Sequence, residues 1–497
     1  MTPKRPWLGL FAILAATLMN LLDSTIVNVA APSIRAELGG SYTGLQWIVA
    51  GYTLALAIGL LTGGRLGDMY GRRRMLMIGV VGFVTTSVVC AVAPSIEALI
   101  VARVLQGLFG AVMIPQGFGL IRDLFTPQAM GKAYGVFGPM IGLATILGPI
   151  VAGVLVDADV FGIGWRAIFA INLPLGVFAI VAGRVALPGT SATQTASRPR
   201  QLDVPGVLLA GAAMFTLVFP LVQGRELGWP TWSLAMLAVS IPVIGGFVAY
   251  QLRRRRAGGT PLVELSVFAK RSYASGVVFV VVFFGAIVGF SLAVGLFLQL
   301  GLGYSPTRTS LTMAAWAVGA FVGSGYSASV MARMGRRILH MGLSLMAVGI
   351  GALYVEFRAA GTAIGPWHLT VPLLVFGLGM GMIFVPLFGI IMGEVEDREV
   401  GSASGLLEAV QQLGASLGVA VLGTVFFGVA GSTTAHGLLD PAAAVHAAGL
   451  VALLALALTA LSFGLGFLLP RRARAHGEAP AETEAPAPTE ELVLVAA

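Results

Sequence analysis

The chain has 497 residues, of which 57% are apolar and only 10% are charged, and its formal net charge is +8. About a quarter of the residues of a soluble protein are charged, so this composition excludes an ordinary soluble domain. A disulfide-stabilised secreted scaffold is excluded because Cys90 is the only cysteine. The hydrophobicity also excludes intrinsic disorder for most of the chain.

Fourteen apolar runs follow one another along the chain, each close to the roughly 20 residues that a helix needs to cross a bilayer. They lack the alternation of barrel strands, and so predict an all-α integral membrane protein with fourteen transmembrane helices. The first run follows Lys4 and Arg5 but has no small-residue cleavage site, so we expect a retained helix rather than a signal peptide. The predicted spans are Trp7–Val29, Leu45–Leu66, Met75–Ala93, Ile96–Ile121, Tyr134–Val156, Trp165–Leu187, Val204–Val222, Trp232–Leu252, Tyr273–Leu300, Thr309–Met331, Ile338–Phe357, Leu369–Met392, Ser402–Val429 and Val445–Leu469.

The Lys and Arg residues predict the orientation of these spans, because cytoplasmic loops are enriched in both. With the N-terminus inside, 24 of the 30 fall on the cytoplasmic side and five outside, while Arg103 lies within a span. If one span were missing, the Lys and Arg residues that follow it in the chain would fall mostly on the outer side. We therefore expect a multi-pass protein of the inner (cytoplasmic) membrane with both termini cytoplasmic. The basic residues then face anionic membrane lipid, which explains the positive charge without a nucleic-acid partner.

The spans are organised in blocks. We expect an N-terminal six-helix bundle in 1–187, then a linker, two extra central helices and a basic cytoplasmic loop in 188–272. A C-terminal six-helix bundle in 273–469 and a disordered cytoplasmic tail in 470–497 complete the chain. Gly63–Leu76 and Ser329–Gly342 form a faint repeat, since both place Gly-Arg-Arg at the start of a helix. Two pseudo-symmetric six-helix halves are typical of alternating-access transporters.

Five segments carry motifs in a fixed order: Leu22–Pro32, Gly64–Leu76, Leu99–Ala111, Gly138–Gly153 and Trp165–Gly176. Together they resemble the major facilitator superfamily, and within it the fourteen-helix drug:proton antiporter family. The resemblance implies two related helical halves, alternating access, a small-molecule substrate and protons as the coupled ion. It also implies export rather than import, and we expect the chain to act as a monomer.

A polar stripe on the first predicted helix includes Asn20 and Asp23. Polar residues in lipid face the bundle interior or a water-filled cavity. Asp23 either binds or couples protons and substrate, or is a structural hydrogen-bonded residue. The fourth helix places Arg103 and Gln106 on one face, and the resemblance assigns the Arg a role in proton coupling. The alternative is a static ion pair, for which Asp23 is a candidate counter-ion.

Two further motifs concern gating. Gly148, Pro149 and Gly153 allow a close, bent helix contact, and the resemblance favours a gate over generic packing. In the loop motif, Asp68 pairs with Arg72 or caps a helix, and the resemblance implies a latch on the inner gate. Retention of positive charge inside is the alternative explanation for the Arg cluster.

The thirteenth span carries Glu408, with Gln411 and Gln412 on the same polar face. The resemblance leads us to expect Asn at this position, so the Glu leaves the substrate class open. A carboxylate in an apolar helix is costly and suits exchange of a proton for a cationic substrate. The alternative is a wetted, idle side chain near the cytoplasmic end of the span.

The five His residues show no metal-ligand spacing, and the sequence has no nucleotide-binding motif, so we expect neither a metal nor a cofactor. The sequence therefore predicts a non-enzymatic, proton-coupled multidrug or antibiotic efflux antiporter for amphipathic, including cationic, small molecules. The alternatives are a facilitator or importer of a small organic solute and a non-transporting membrane receptor. A lipid-modifying membrane enzyme is disfavoured, because no cluster of His, Asp or Ser occurs within the spans.

Overall fold

The computed structural model describes residues 5–39, 42–126, 129–130, 132–133, 136, 140, 148, 151, 154–155, 159, 162–188, 203–259, 261–396, 399–431 and 439–471. These residues contain helices and connecting turns and no β-strand. The α-helices are α1 (Pro6–Leu38), α2 (Tyr42–Tyr70), α3 (Arg72–Ala91), α4 (Ile96–Met113), α5 (Gln116–Leu124), α6 (Ala167–Ala170), α7 (Asn172–Ala186), α8 (Val204–Glu226), α9 (Thr231–Arg256), α10 (Arg271–Leu296), α11 (Pro306–Met334), α12 (Arg337–Ala360), α13 (Pro366–Met392), α14 (Val400–Ala430) and α15 (Pro441–Gly466).

Within the described residues, 12 helical segments are long and apolar enough to cross a membrane. The chain is therefore an all-helical integral membrane protein, as the sequence predicts. Two of the fourteen predicted spans are not among the 12. Most of Tyr134–Val156 lies outside the described residues. Thr309–Met331 forms the 29-residue helix α11, whose Gly, Ser and Thr residues dilute its apolar character.

We call helices α1–α7 the first half and helices α10–α15 the second half. In the first half α4 packs on α2 and α3, and α1 packs on α7. In the second half α13 packs on α11 and α12, while α14 packs on α10. Helix α8 contacts both α2 and α14, and α9 packs against α8. Helices α8 and α9 therefore lie beside the contact between the two halves.

The repeated Gly-Arg segments have the same local structure in both halves. Helix α2 ends before Gly71, which has φ +96°, and α3 starts at the next residue. Helix α11 ends before Gly335, which has φ +51°, and α12 starts two residues later. A positive φ is strained for residues with a side chain, so glycine permits both sharp turns. We call the end of the bundle that carries these turns the basic end.

Facing glycines allow a close contact between helices α10 and α14. A Cβ on Gly418 of α14 would lie 2.0 Å from the carbonyl oxygen of Gly285 on α10. Backbones that approach this closely gain van der Waals contact that larger residues prevent. Gly428 lies on the same helix α14, but a Cβ there would meet no other atom within 4 Å.

We expect Gly418→Val to lower the unfolding free energy by about 1–3 kcal/mol, because the new side chain overpacks the α10–α14 contact. Gly428→Val is the matched control on the same helix, and we expect it to leave stability nearly unchanged. Thermal unfolding of both variants in detergent micelles measures the difference. Equal melting temperatures for the two variants would contradict this packing.

Candidate functional site

A buried ion pair joins Asp23 on α1 to Arg103 on α4. Both side chains are completely buried, and NH1 of Arg103 donates directly to Oδ2 of Asp23. The sequence predicts both residues as functional but cannot place them in contact, because they lie on separate helices. The structure brings them together inside the first half.

Two amides complete the coordination of the Asp23 carboxylate. Nε2 of Gln106 donates to Oδ1 of Asp23 over 3.0 Å, and Nδ2 of Asn172 donates to the same oxygen over 2.9 Å. Both amide nitrogens also donate to Oγ of Ser87, at 2.8 Å and 3.1 Å. Both carboxylate oxygens of Asp23 therefore accept hydrogen bonds, as a buried polar group requires.

Arg103 is held by several partners besides Asp23. Its Nε donates to the carbonyl oxygen of Ile48 over 3.2 Å, and NH1 donates to Oε1 of Gln106 over 2.7 Å. The guanidinium carbon lies 4.0 Å from the ring centroid of Tyr52, which adds a cation–π contact. NH2 of Arg103 has no hydrogen-bond partner among the described residues. The guanidinium therefore has a donor to spare for a substrate or water.

Asn20 belongs to the same network, because its amide donates to Oη of Tyr52. The structure thus unites Asn20, Asp23, Arg103 and Gln106, four of the predicted residues. The sequence analysis missed Ser87, Asn172 and Tyr52, which contribute the remaining contacts. Asn172 is an amide within an apolar run, the same signal that singled out Asp23, and could have been found that way. Nothing in the spacing distinguishes Ser87 or Tyr52 from other polar residues in the spans.

Glu408 lies on the face of α14 that contacts the first half. Gly405 packs against α2, and Oγ of Ser404 donates to the carbonyl oxygen of Pro115 over 3.1 Å. Glu408 is three to four residues further along α14, so it shares this face one turn deeper. It lies about 12 Å from the start of the helix at 1.5 Å per residue, and it is half-buried.

Gln411 and Gln412 continue the polar surface beyond Glu408. Gln411 is buried. No hydrogen bond of ordinary geometry satisfies Nε2 of Gln411 among the described residues. Gln412 is half-buried. The face of α14 that contacts the first half therefore carries the Glu408 carboxylate and then the amides of Gln411 and Gln412. The Nε2 group of Gln411 is available to donate a hydrogen bond to a polar group.

The two halves meet closely at the basic end through α2 and α14. A Cβ on Gly64 would lie 2.3 Å from the carbonyl oxygen of Gly401, and one on Gly405 would lie 2.7 Å from that of Leu60. Arg122 adds a hydrogen bond from NH1 to the carbonyl oxygen of Val395 over 3.3 Å. This bond and the bond from Ser404 both join the two halves toward this end. The structure is therefore closed at the basic end.

Asp68 lies in this closure. A Cβ on Gly401 would lie 2.3 Å from both carboxylate oxygens of Asp68, so the carboxylate packs on the first turn of α14. The start of a helix attracts negative charge through its free N–H groups and its dipole. NH2 of Arg72 lies 3.7 Å from Oδ1 of Asp68, and NH1 of Arg72 lies 3.3 Å from Oδ1 of Asp123. Asp68 thus takes part in a contact between the halves, and Arg72 pairs with Asp68 and Asp123 within the first half.

Glu399, directly before α14, joins the start of this helix to Ser266 and Lys270. Burial alone would raise the pKa of Glu399, but hydrogen bonds from Lys270 and from Ser266 lower that pKa below its ordinary value. The Ser266 bond is 2.5 Å long. A lowered pKa means that the folded state favours the ionised carboxylate, so this stabilisation is present above the ordinary pKa of Glu and is lost as the pH falls below it.

The predicted glycine-rich gate is described only in part. Gly148 is helical and buried. Pro149 and Gly153 lie outside the described residues.

Comparison with known proteins identifies the family. The model of the Major Facilitator Superfamily matches residues 13–419 and 274–496. The chain belongs to the major facilitator superfamily. The predicted resemblance to this superfamily is confirmed, and the protein is a membrane transporter rather than an enzyme.

The name of one relative describes transport, and the name of another describes resistance and export. The chain is 49% identical over 429 residues to the probable actinorhodin transporter of Streptomyces coelicolor, covering 86% of this chain and 74% of that protein. It is 36% identical over 423 residues to the tetracenomycin C resistance and export protein of Streptomyces glaucescens, covering 85% and 76%.

A solved structure shows the same fold. The proton:xylose symporter XylE bound to 6-bromo-6-deoxy-D-glucose superposes with a TM-score of 0.59 at 17% identity, covering 90% of this chain and 94% of that one. At this identity the similarity concerns the fold alone.

We expect Asp23→Asn to lower the unfolding free energy by about 3–5 kcal/mol, because it leaves the buried Arg103 charge without its partner. The double variant Asp23→Asn with Arg103→Gln removes both charges and should lose less than the sum of the two single variants. Thermal unfolding in detergent micelles completes this double-mutant cycle.

Glu37→Gln provides the control for this cycle, because Glu37 pairs with Arg166 at an exposed site at the opposite end of the bundle. Exposed pairs contribute little, so we expect a small change there. Strictly additive effects at Asp23 and Arg103 would show that the two residues do not interact.

Proposed function

We propose that this protein is a proton-coupled exporter of antibiotics or other amphipathic small molecules that works by alternating access. The observation that carries the proposal is the buried Asp23–Arg103 pair with its amide donors. Ionisable residues inside a membrane are costly and mark substrate or proton pathways. The direction and the class of substrate are supported by the relatives named for actinorhodin transport and for tetracenomycin C export.

We propose fourteen membrane crossings for this exporter, and the contacts at the ends of the helices support the two uncounted spans. Trp7 and Phe125 pack edge to face at the basic end, with ring centroids 5.3 Å apart. Nε1 of Trp165 donates to Oε2 of Glu37 over 2.7 Å at the far end of α1. Phe125 and Trp165 therefore lie at opposite ends of the bundle, which supports our proposal of one crossing between them. Helix α11 similarly runs from the far end to Gly335 at the basic end.

The basic end is cytoplasmic in this proposal, because most Lys and Arg residues gather there. Both termini then lie in the cytoplasm of a cell whose inner membrane holds the protein. We take the structure, which is closed at this end through α2 and α14, as the outward-facing state of the proposed cycle. Asp68 on the start of α14 and its neighbour Arg72 act as the latch of that state.

In the proposed cycle, each half contributes one carboxylate. Asp23 pairs with Arg103 within the first half, and protonation of Asp23 would release the guanidinium. Glu408 faces the contact between the halves on α14, where it exchanges a proton for the substrate. The substrate enters at the cytoplasmic side, the halves rock, and protons from outside displace it. Gln411 and Gln412 offer amides beside Glu408 for substrate polar groups.

Glu408→Gln should abolish proton flux triggered by substrate, because the amide cannot exchange a proton. The assay uses the full chain in liposomes with a pH dye inside, with actinorhodin or tetracenomycin C added under an imposed pH gradient. Glu356→Gln is the matched control, since it removes another half-buried acid from a different helix of the second half. Substrate movement without proton flux in the unaltered protein would favour a facilitator instead.

Asp68→Asn should open the basic end more often, because the amide loses the charge that binds the start of α14. A Ser404→Cys reporter, placed at the contact with Pro115, should then react several-fold faster with a maleimide supplied from the basic side. Arg74→Gln is the control, because it removes an exposed charge from the first turn of α3, close to Arg72 in the sequence. Cys90 is buried and contributes no background. Equal labelling rates for the reporter with and without the Asp68→Asn substitution would remove the latch from the proposal.

A further inference from the structure

A groove of about 920 Å³ at the basic end of the second half lies apart from the residues discussed above. It lies between the start of α12 and the end of α15, next to the end of α11. Four arginines line it, Arg333, Arg336, Arg337 and Arg471, and no Asp or Glu is among its lining residues. The groove is therefore a concentration of positive charge without internal compensation.

One of these arginines is fixed by the fold. NH1 of Arg336 donates to the carbonyl oxygens of Phe467 and Leu469 over 2.7 Å and 2.6 Å, which satisfies the end of α15. Burial and the nearby charges of Arg471 and Arg271 lower the pKa of Arg336. The other three arginines are exposed, and no carboxylate pairs with them in the described part of the chain. They are free to bind an anion that approaches from solvent or from the membrane surface.

Apolar side chains line the groove away from the arginines, beside His340 and Ser344. Met341 and Leu345 follow Arg337 at one-turn intervals on α12, and Phe463 precedes Phe467 by one turn on α15. Leu345 lies about 12 Å deeper along the helix than Arg337, at 1.5 Å per residue. Met341 is 37% exposed and Phe467 is 54% exposed. This track lies where the acyl chains of a lipid would lie if its headgroup met the arginines.

We propose that this groove binds one anionic phospholipid, with the phosphodiester on Arg333, Arg337 and Arg471 and the acyl chains along Met341, Leu345 and Phe463. Guanidinium groups bind phosphate through paired hydrogen bonds. Basic pockets between transmembrane helices recognise anionic headgroups. A free inorganic phosphate could bind the arginines but has no apolar part to contact Met341, Leu345 and Phe463. The geometry therefore favours a lipid. The site does not depend on the proposed transport activity.

The test is native mass spectrometry of the purified full chain in detergent, with dioleoylphosphatidylglycerol, dioleoylphosphatidylcholine and inorganic phosphate as separate probes. We expect the unaltered protein to retain phosphatidylglycerol in preference to phosphatidylcholine. Arg333→Gln with Arg337→Gln should weaken retention roughly thirtyfold, which corresponds to about 1 kcal/mol for each basic residue near the membrane surface. Arg255→Gln with Arg256→Gln is the matched control, because it removes two exposed charges at the end of α9, and it should leave retention unchanged.

A second variant tests whether the space in the groove is needed when all its arginines are kept. Ser344→Trp keeps every arginine and places a bulky side chain in the groove, where Ser344 is exposed. We expect it to displace phosphatidylglycerol as well, while its thermal unfolding shows that it folds. Equal retention by the groove variants and the control would overturn the proposal. Inorganic phosphate that binds as tightly as phosphatidylglycerol would overturn the lipid assignment.

Discussion

The buried pair of Asp23 and Arg103 constrains the rest of the first half. A charge taken into the interior of a membrane protein must be paired and hydrogen-bonded, or it costs several kcal/mol. Helices α1, α2, α3, α4 and α7 each supply at least one group to the network around this pair, through Asn20, Tyr52, Ser87, Gln106 and Asn172. The network therefore fixes the relative positions of five helices around a single ion pair. A proton on Asp23 would weaken the pair, and the response would spread to all of them.

The second half has no comparable network among the described residues. Its corresponding ionisable group is Glu408, on the face of α14 that meets the first half. In the cycle we propose, the first half holds the charge pair and Glu408 at the contact between the halves carries the exchangeable proton. The close backbone contacts there involve Gly64, Gly401 and Gly405. Glycines have no side chains to make this contact specific, so in our proposal Asp68 at the start of α14 supplies that specificity.

The sequence predicts the helical membrane fold because long apolar runs have few alternatives. It predicts Asp23, Arg103 and Glu408 individually, since each is a costly residue within a span. It cannot predict that Asp23 meets Arg103, or that Gly64 meets Gly401, because helix packing decides which faces touch. Glycine is too frequent here, with 67 residues, for any one contact to stand out. Asn172 could be predicted from the sequence because it is an amide residue in an apolar run, whereas nothing in the sequence distinguishes Ser87. The break of the fourth span at Pro115 was also not foreseen, although proline in a helix is a known cause of such breaks.

The most direct test of this account is the release of protons when substrate binds. Purified protein in weakly buffered detergent solution, mixed with actinorhodin, reports released protons through a pH dye, and the bound substrate is measured in the same sample. The account predicts that the unaltered protein releases a proton on binding and that Glu408→Gln binds the substrate without releasing one. Binding with no proton release in the unaltered protein, or the same release from Glu408→Gln, would contradict it.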